Sequence, residues 1–458
     1  MRDRLAQHLA ETGLIPPGAR VLLGYSGGAD STCLLHLLAE LGIDVVAAHL
    51  HHGQRDAADK EQRLCEAFAE SLGVPFATGR ADVPRLAKDR GMSMEEAGRE
   101  ARYAFFRQAA ARLECGLVAT AHTRDDHVET VLFRLARGTG LAGLAGIPES
   151  RDGIVRPLLP FSRAQTRAYC EARGLWFHDD PANDDLANAR VRVRKAILPA
   201  MRAINPEADA AIARLAAMAD EEDRFLDGAA AAALERAEVR LNGDLAFLTR
   251  DVEIAFDRRT LDHLPAVLLR RAVRLAARAL GAELDYDQSS LVLGGERGSV
   301  TAEGGEVVLE WDPEALHGRL LRPTVPFRYP FTLPGETESD EFGWRLVAYP
   351  VDATGTPVRA SLAVEVDRAT VRGGLHFRGF APGDTMRPLG FDGTRKLSDL
   401  LAEAGLTLAA RARLPIVCDL VGPLWAPGVC LDERARPKGG SAVALRFEPL
   451  DAPSVPNP

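Results

Sequence analysis

Between Val21 and Leu38 the chain reads VLLGYSGGADSTCLLHLL, an apolar run that meets a small polar loop and continues as an apolar, helix-like stretch. The chemistry lies in Ser26-Gly27-Gly28-Ala29-Asp30-Ser31. Glycines let backbone N–H groups turn toward a ligand with no Cβ in the way. Ser26 and Ser31 add hydroxyl donors, and the following helix presents its positive end to the same point. This is a cradle for an anion, yet it lacks the lysine of the G-x-x-x-x-G-K-[ST] nucleotide loop. Asp30 repels a phosphate unless a cation accompanies it, which Mg²⁺ on a nucleotide triphosphate supplies. The plainer alternative is a strand-to-helix turn capped by Asp or Ser. The complete string S-G-G-x-D-S at such a junction favours the phosphate.

Other polar residues recur at helical spacing. Asp126 and Glu129 lie three apart and share a helix face. A solvated face is the bland account of such a pair. Glu95, Arg99 and Arg102 form one stripe, which as a surface ion pair would be worth only ~0.3–0.5 kcal/mol. His49, His51 and His52 cluster just before Arg55. No distant acidic pattern completes a metal site with them, so positioning of nucleotide or RNA is the better reading. Arg190, Arg192, Arg194 and Lys195 make a basic run. Such a run is either a solvated helix end or a contact for RNA phosphates.

These residues need a scaffold, and the first ~200 residues supply an alternation of short apolar runs and helical stretches. RVLLGYS, IDVVAAHL, VPFATG and LVATAH read as strands, each followed by a helix-like segment. Alternation of this kind implies an α/β fold, a parallel twisted sheet covered by helices on both faces. Ligands bind such sheets beyond the carboxyl ends of the strands, where the quoted loop lies. The expected organisation is a catalytic domain over 1–204 and a mainly helical middle domain over 205–318. A linker with short strands over 319–364, a small α+β domain over 365–450 and a disordered tail over 451–458 complete it.

With 458 residues, 46% hydrophobic and 26% charged, the chain suits two or three globular domains. No apolar run approaches the ~20 residues of a membrane span, and MRDRLAQHLAETGLIPPG lacks a signal-peptide core, which predicts a cytoplasmic protein without membrane partners. The six cysteines form no C-x-x-C pair, which speaks against a zinc or iron–sulfur cluster. Net charge is −9, so the chain is not basic throughout. From Arg151 to Arg202, however, ten Lys/Arg face six Asp/Glu, while Glu207 to Asp227 holds seven acids.

The loop SGGADS resembles the pyrophosphate loop of N-type ATP pyrophosphatases, which cleave ATP to AMP and pyrophosphate. That accounts for the missing lysine: the loop would hold departing pyrophosphate rather than assist transfer of the terminal phosphoryl group. Further strings resemble the tRNA(Ile)-lysidine synthase family. They are HLHHGQR (49–55), EEAGREARY (95–103), AHTRDDHVET (121–130), RGTGLAGLAGI (137–147), VRPLL (155–159), DDPANDDLANARVRVR (179–194) and PGDTMRPLGFDGTRKLSDLL (382–401). Ala182 stands where the family has serine, and Val191 where it has asparagine. The resemblance implies that ATP adenylates O2 of the wobble cytidine of a CAU-anticodon isoleucine tRNA. The ε-amine of L-lysine then attacks C2 and AMP leaves.

By the same resemblance Ser26 to Ser31, His49 and His52 would hold ATP, Asp30 would hold Mg²⁺, and Asp30, Arg102, Asp126 and Glu129 would be catalytic. Asp126 and Glu129 would receive the lysine amine. Arg190, Arg194, Arg378, Arg387 and Lys396 would meet tRNA. A homodimer is compatible with the sequence. The rivals are a tRNA thiolase, an amidating ligase of the same loop class, and a non-catalytic RNA-binding protein that senses ATP. The first would carry paired cysteines, the second an ammonia source, and the third has no need of all four catalytic residues.

Overall fold

The computed structural model describes residues 1–51, 58–179, 189–322, 325–331, 333–353 and 361–450. The chain divides into two compact units, Met1–Arg224 and Phe225–Pro458. The division falls inside one long helix rather than at the expected boundary after 204. The cause is apolar: Ile212 and Ala216 of that helix are buried with Val128, Val131 and Leu132, while Ala230, Leu234 and Ala237 are buried with Leu269, Val273 and Ala276.

The first unit begins with α1 (Arg2–Thr12) and builds a six-stranded sheet from β1 (Val21–Gly24), β2 (Val45–His51), β3 (Phe76–Arg80), β4 (Leu117–Ala119), β5 (Ser150–Arg151) and β6 (Ile154–Val155). The strand order is β3-β2-β1-β4-β6-β5, parallel except for β5. In register, Val21 lies beside both Val45 and Leu117. Helices α2 (Ala29–Glu40), α3 (Ala58–Ser71), α4 (Val83–Arg90), α5 (Met94–Arg112), α6 (Arg124–Arg137), α7 (Leu141–Leu144) and α8 (Arg163–Ala172) follow in chain order. After them come α9 (Ala189–Arg192), a π-helical turn over Val193–Ile197, α10 (Leu198–Ile204) and the long α11 (Ala208–Ala237).

Successive strand residues point to opposite faces. Val21 and Leu23 are buried with Leu5, Leu34 and Leu37 on one face, and Leu22 with Val46, Phe106 and Ala110 on the other. This fulfils the two-sided burial expected of a parallel sheet. Chain order reverses between β1 and β4, which places a crevice outside the carboxyl ends of those strands. The loops after β1 and β4 are the two that carry SGGADS and HTRDDHVET. Helix α5 lies close over this edge, because a Cβ on Gly24 would fall 2.5 Å from Phe106 Cζ.

The second unit continues α11 and adds β7 (Glu253–Asp257), α12 (Arg258–Asp262), α13 (Ala266–Ala279), α14 (Tyr286–Ser290), β8 (Gly298–Thr301), β9 (Val307–Trp311) and β10 (Ala315–Leu320). The four strands form an antiparallel sheet, β7-β10-β9-β8, so the helices of the expected middle region are accompanied by strands. Beyond it lie β11 (Arg328–Pro330), β12 (Gly335–Ser339), β13 (Trp344–Asp352), β14 (Ala363–Asp367), β15 (His376–Arg378), β16 (Thr385–Met386) and β17 (Arg395–Lys396). Helices α15 (Leu397–Glu403) and α16 (Leu408–Arg413) precede β18 (Ile416–Cys418), β19 (Pro423–Ala426), β20 (Cys430–Leu431) and β21 (Ser441–Pro449).

The segment read as linker and short strands contains a longer strand, β13, which pairs over nine residues with β21. Its alternation is visible in WRLVA, where Trp344, Leu346 and Ala348 enter one core with Phe377, Trp425 and Phe447. The tail over 451–458 lies outside the described residues. Trp344 is fully buried, with the rings of Tyr329, Phe377 and Phe447 within 5.3–6.0 Å. Trp344→Ala should therefore lower the unfolding free energy of the second unit by about 3–5 kcal/mol in a urea titration followed by fluorescence.

Candidate active site

The loop after β1 folds back on its own serines. Ser26 and Ser31 hydroxyls are 3.1 Å apart, Gly28 N–H donates to Ser26 Oγ at 3.4 Å, and Ser31 Oγ–H donates to the Gly28 carbonyl at 3.0 Å. Gly28 is the N-cap of α2, so the backbone donors of Ala29 and Asp30 open that helix. Gly27 has φ +80°, and a Cβ there would meet Cys65 Sγ at 2.7 Å and His178 Nδ1 at 2.9 Å. No other residue type fits that position without displacing both neighbours.

Around this loop lies a cavity of about 710 Å³. Ser26, Gly28, Ala29, Asp30 and Ser31 line one side, and His122, Asp126, Arg163 and Arg194 another. Arg99 and Arg102, both exposed on α5, and His49 at the end of β2 line it as well. His52 lies outside the described residues, as do Ala182 and Asn183.

Burial works against the charged form of two of the cavity's histidines, His49 and His122. His49 Nδ1–H donates to the Tyr25 carbonyl at 3.0 Å, leaving Nε2 as an acceptor, and burial lowers its pKa. Burial pushes His122 down to about 4, and its Nδ1 lies 2.9 Å from Thr120 Oγ1. Asp30 moves the other way. Burial drives its carboxyl up to about 6, with Asp126 adding to the rise, against a hydrogen bond from Thr166 Oγ1 and the charge of Arg163.

Asp126 and Glu129 are brought together on α6. Asp126 accepts Thr123 N–H and Thr123 Oγ1–H, each at 2.8 Å, and so closes the start of the helix. Burial would raise its pKa, but Arg163, His122 and the Thr123 bonds outweigh it and the carboxyl titrates below its ordinary value. Glu129 is only 3% exposed and is clasped by Arg194, with Nε to Oε1 at 2.7 Å and Nη2 to Oε2 at 2.9 Å.

Arg163 completes the cluster. Its Nη2 donates to Asp126 Oδ1 at 2.6 Å and its Nη1 to Glu129 Oε1 at 3.1 Å, while its Nε lies 3.7 Å from Asp30 Oδ2. The backbone N–H of the same residue donates to Asp125 Oδ2 at 2.8 Å. Sequence reasoning passed over Arg163, Thr166 and His178. The available signal was the cap at Ser162, whose box with Gln165 starts α8 and aims Arg163 and Thr166 at the loop. Arg194, expected to meet RNA phosphate, instead forms the clasp on Glu129, because its turn of helix packs against α6 through Val193 and Leu198. Arg99 does not pair with Glu95. It stacks on Tyr103 at 4.9 Å, and Glu95 lies 3.7 Å from Arg190.

Comparison with known proteins adds the family. A model described as the PP-loop domain matches residues 1–201, and one described as the TilS substrate C-terminal domain matches 375–446. The chain is 34% identical to tRNA(Ile)-lysidine synthase of Symbiobacterium thermophilum, over 97% of this chain and 96% of that protein. The chain belongs to the tRNA(Ile)-lysidine synthase family. It is similarly 34% identical to the Geobacter sulfurreducens synthase over 94% of this chain and 93% of that one. The Thermus thermophilus synthase matches at 34% over 88% of this chain and 67% of its own length.

In this member of the family the carboxyl-terminal basic residues differ in setting. Arg378 is fixed by Asp384 through two bonds of 2.8 and 2.7 Å and by the Gly379 carbonyl at 2.9 Å. That pair holds the turn after β15. Arg387 is exposed, 3.9 Å from Asp392, and Lys396 is exposed at the N-cap of α15.

The raised pKa of Asp30 has a thermodynamic sign. Its native pKa exceeds its unfolded one, so the native state binds more protons between them, and stability contributed below about pH 4 is lost as pH rises through about 6. Asp30→Asn should therefore raise the thermal unfolding midpoint at pH 7.5, and the gain should vanish by pH 4.

Proposed function

We propose that this chain ligates L-lysine to C2 of the wobble cytidine of the CAU-anticodon isoleucine tRNA, using ATP and releasing AMP and pyrophosphate. One observation carries the reading: a phosphate-type loop and Asp126, which Arg163 joins to the buried Glu129, line one cavity at the point where the strand order reverses. That juxtaposition suits an enzyme that must bring a polyanion and a cationic amine to the same base.

The chemistry follows from the groups present. The cytidine O2 attacks the α-phosphorus and pyrophosphate leaves, its charge received by Ser26, Ser31 and the first amides of α2. Arg102 lines the same cavity, where a cation stabilises charge that develops on phosphate or base. The adenylated oxygen is then a good leaving group. The lysine amine attacks C2, the C2–O bond breaks, and AMP departs. Asp126 and Glu129 receive the amine in its ammonium form, and the proton must leave before attack, since a free lysine titrates near ~10.4. His49 Nε2 offers the nucleotide an acceptor.

Asp30 suits Mg²⁺. An oxygen ligand beside a phosphate loop is what that ion takes, and a carboxyl held at about 6 by burial is only partly compensated by Thr166 and Arg163. Mg²⁺ bound there would neutralise the phosphates. Arg387 and Lys396 are the carboxyl-terminal side chains placed to meet tRNA phosphates, and Arg190 is the remaining candidate in the first unit. ATP, lysine and tRNA occur together in the cytoplasm. A thiolase is not favoured: all six cysteines are free thiols, five of them buried and Cys115 half-buried.

Mass analysis of the anticodon nucleoside after incubation with ATP, lysine and tRNA should show cytidine extended by a lysyl group. An unchanged nucleoside would remove this assignment. Glu129→Gln should raise the apparent lysine KM about tenfold with ATP affinity little changed, since a charge-assisted hydrogen bond is worth about 1.5 kcal/mol. Loss of ATP binding with normal lysine dependence would instead assign the pair to the nucleotide. Arg387→Ala with Lys396→Ala should lower the salt dependence of tRNA binding, each lost phosphate contact reducing the slope of log K against log salt by roughly 0.7–0.9.

A further inference from the structure

Resting on the reading that Asp126 and Glu129 receive the lysine amine, the structure raises a difficulty. All four carboxylate oxygens of the pair are already engaged. Asp126 Oδ1 accepts from Arg163 and Oδ2 from Thr123, while Glu129 Oε1 accepts from Arg163 and Arg194, and Oε2 from Arg194. Only Asp126 Oδ1 and Glu129 Oε2 keep a second lone pair, and the two acids are already matched by two guanidiniums, so an entering ammonium competes with one of them for the pair. Arg163 and Arg194 both line the cavity with side chains about equally exposed, at 30% and 29%, and two features single out Arg163. Its bonds to the pair are monodentate to each acid, whereas Arg194 holds Glu129 with two. Its Nε faces the phosphate-loop acid Asp30 at 3.7 Å. The guanidinium thus stands between the nucleotide loop and the amine site.

We propose that Arg163 is a positioning residue that fills the lysine site until ATP binds, then transfers its guanidinium from the carboxylates to the nucleotide phosphates. The backbone of Arg163 is fixed by its bond to Asp125, at the first residue of α8, so only the side chain needs to move. A guanidinium fork fits phosphate as well as carboxylate. The exchange conserves charge: one cation leaves the acid pair for an arriving polyanion, and the lysine ammonium takes its place. Neither Asp126 nor Glu129 is left as a buried, unpaired carboxylate, a state that is strongly unfavourable. The consequence is ordered binding, with lysine admitted after ATP and therefore delivered to a site where adenylation can proceed.

The test is equilibrium dialysis of radiolabelled lysine against the full chain, with and without the non-cleavable analogue α,β-methylene ATP. In the wild type the analogue should tighten lysine binding on the order of tenfold, and lysine should tighten analogue binding by the same factor, as linkage requires. Arg163→Met keeps the aliphatic stem and removes the head. It should bind lysine tightly without nucleotide, and the analogue should then add less than about twofold. Wild-type lysine affinity that is indifferent to the analogue overturns the exchange while leaving the proposed reaction standing, and this comparison needs no variant to fold. Weaker lysine binding by Arg163→Met also overturns it, since Arg163 would then help the amine rather than compete with it. No lysine binding in any condition overturns both the exchange and the assignment of the acid pair.

Discussion

Charge buried at the carboxyl edge of the first sheet is the constraint around which this unit is arranged. Asp30, Asp125, Asp126 and Glu129 come from two helix starts that flank the reversal of strand order, and four carboxylates so close repel one another. Arg163 and Arg194 make the arrangement tolerable. Their own positions are set from outside the sheet, Arg163 by the cap of α8 and Arg194 by the apolar packing of its turn on α6. Helix capping, apolar burial and ion pairing are therefore one problem here, and none can be altered alone.

Two environments push the acids' titrations in opposite directions. Asp30 is driven up to about 6 because burial outweighs its single hydroxyl donor and a distant guanidinium. Asp126, equally withdrawn from water, stays below the ordinary range because a guanidinium and two Thr123 donors contact it. A carboxyl with only partly compensated charge suits a cation brought by the substrate. One already compensated suits exchange of one cation for another.

Much of this was legible in the sequence. The strand-helix alternation, the loop SGGADS and the pair Asp126/Glu129 are local patterns, and local patterns are what periodicity and capping rules describe. The partners were not legible. Arg163 and Thr166 lie more than 30 residues from the acids they contact, and nothing in FSRAQTRAYC announces which helix start it will face. Arg194 looked like one of four equivalent bases, and only packing through Val193 and Leu198 distinguishes it. Likewise Arg378 read as a phosphate ligand because Asp384, six residues on, is joined to it by a turn the spacing does not specify. The segment around Trp344 reads only as linker with short strands because its prolines and glycines flank a long strand whose partner, β21, lies about a hundred residues away.

Asp126 also closes the first turn of α6 through the amide and hydroxyl of Thr123. One carboxylate is thus both part of the cavity wall and part of the folding signal of its own helix. In a mutational scan such a site is pleiotropic: a substitution that reshapes the cavity at Asp126 also loosens the helix that presents Glu129. Variation in the cavity lining is therefore channelled to neighbouring positions such as His122 and Arg163, whose side chains reach the cavity without closing a helix.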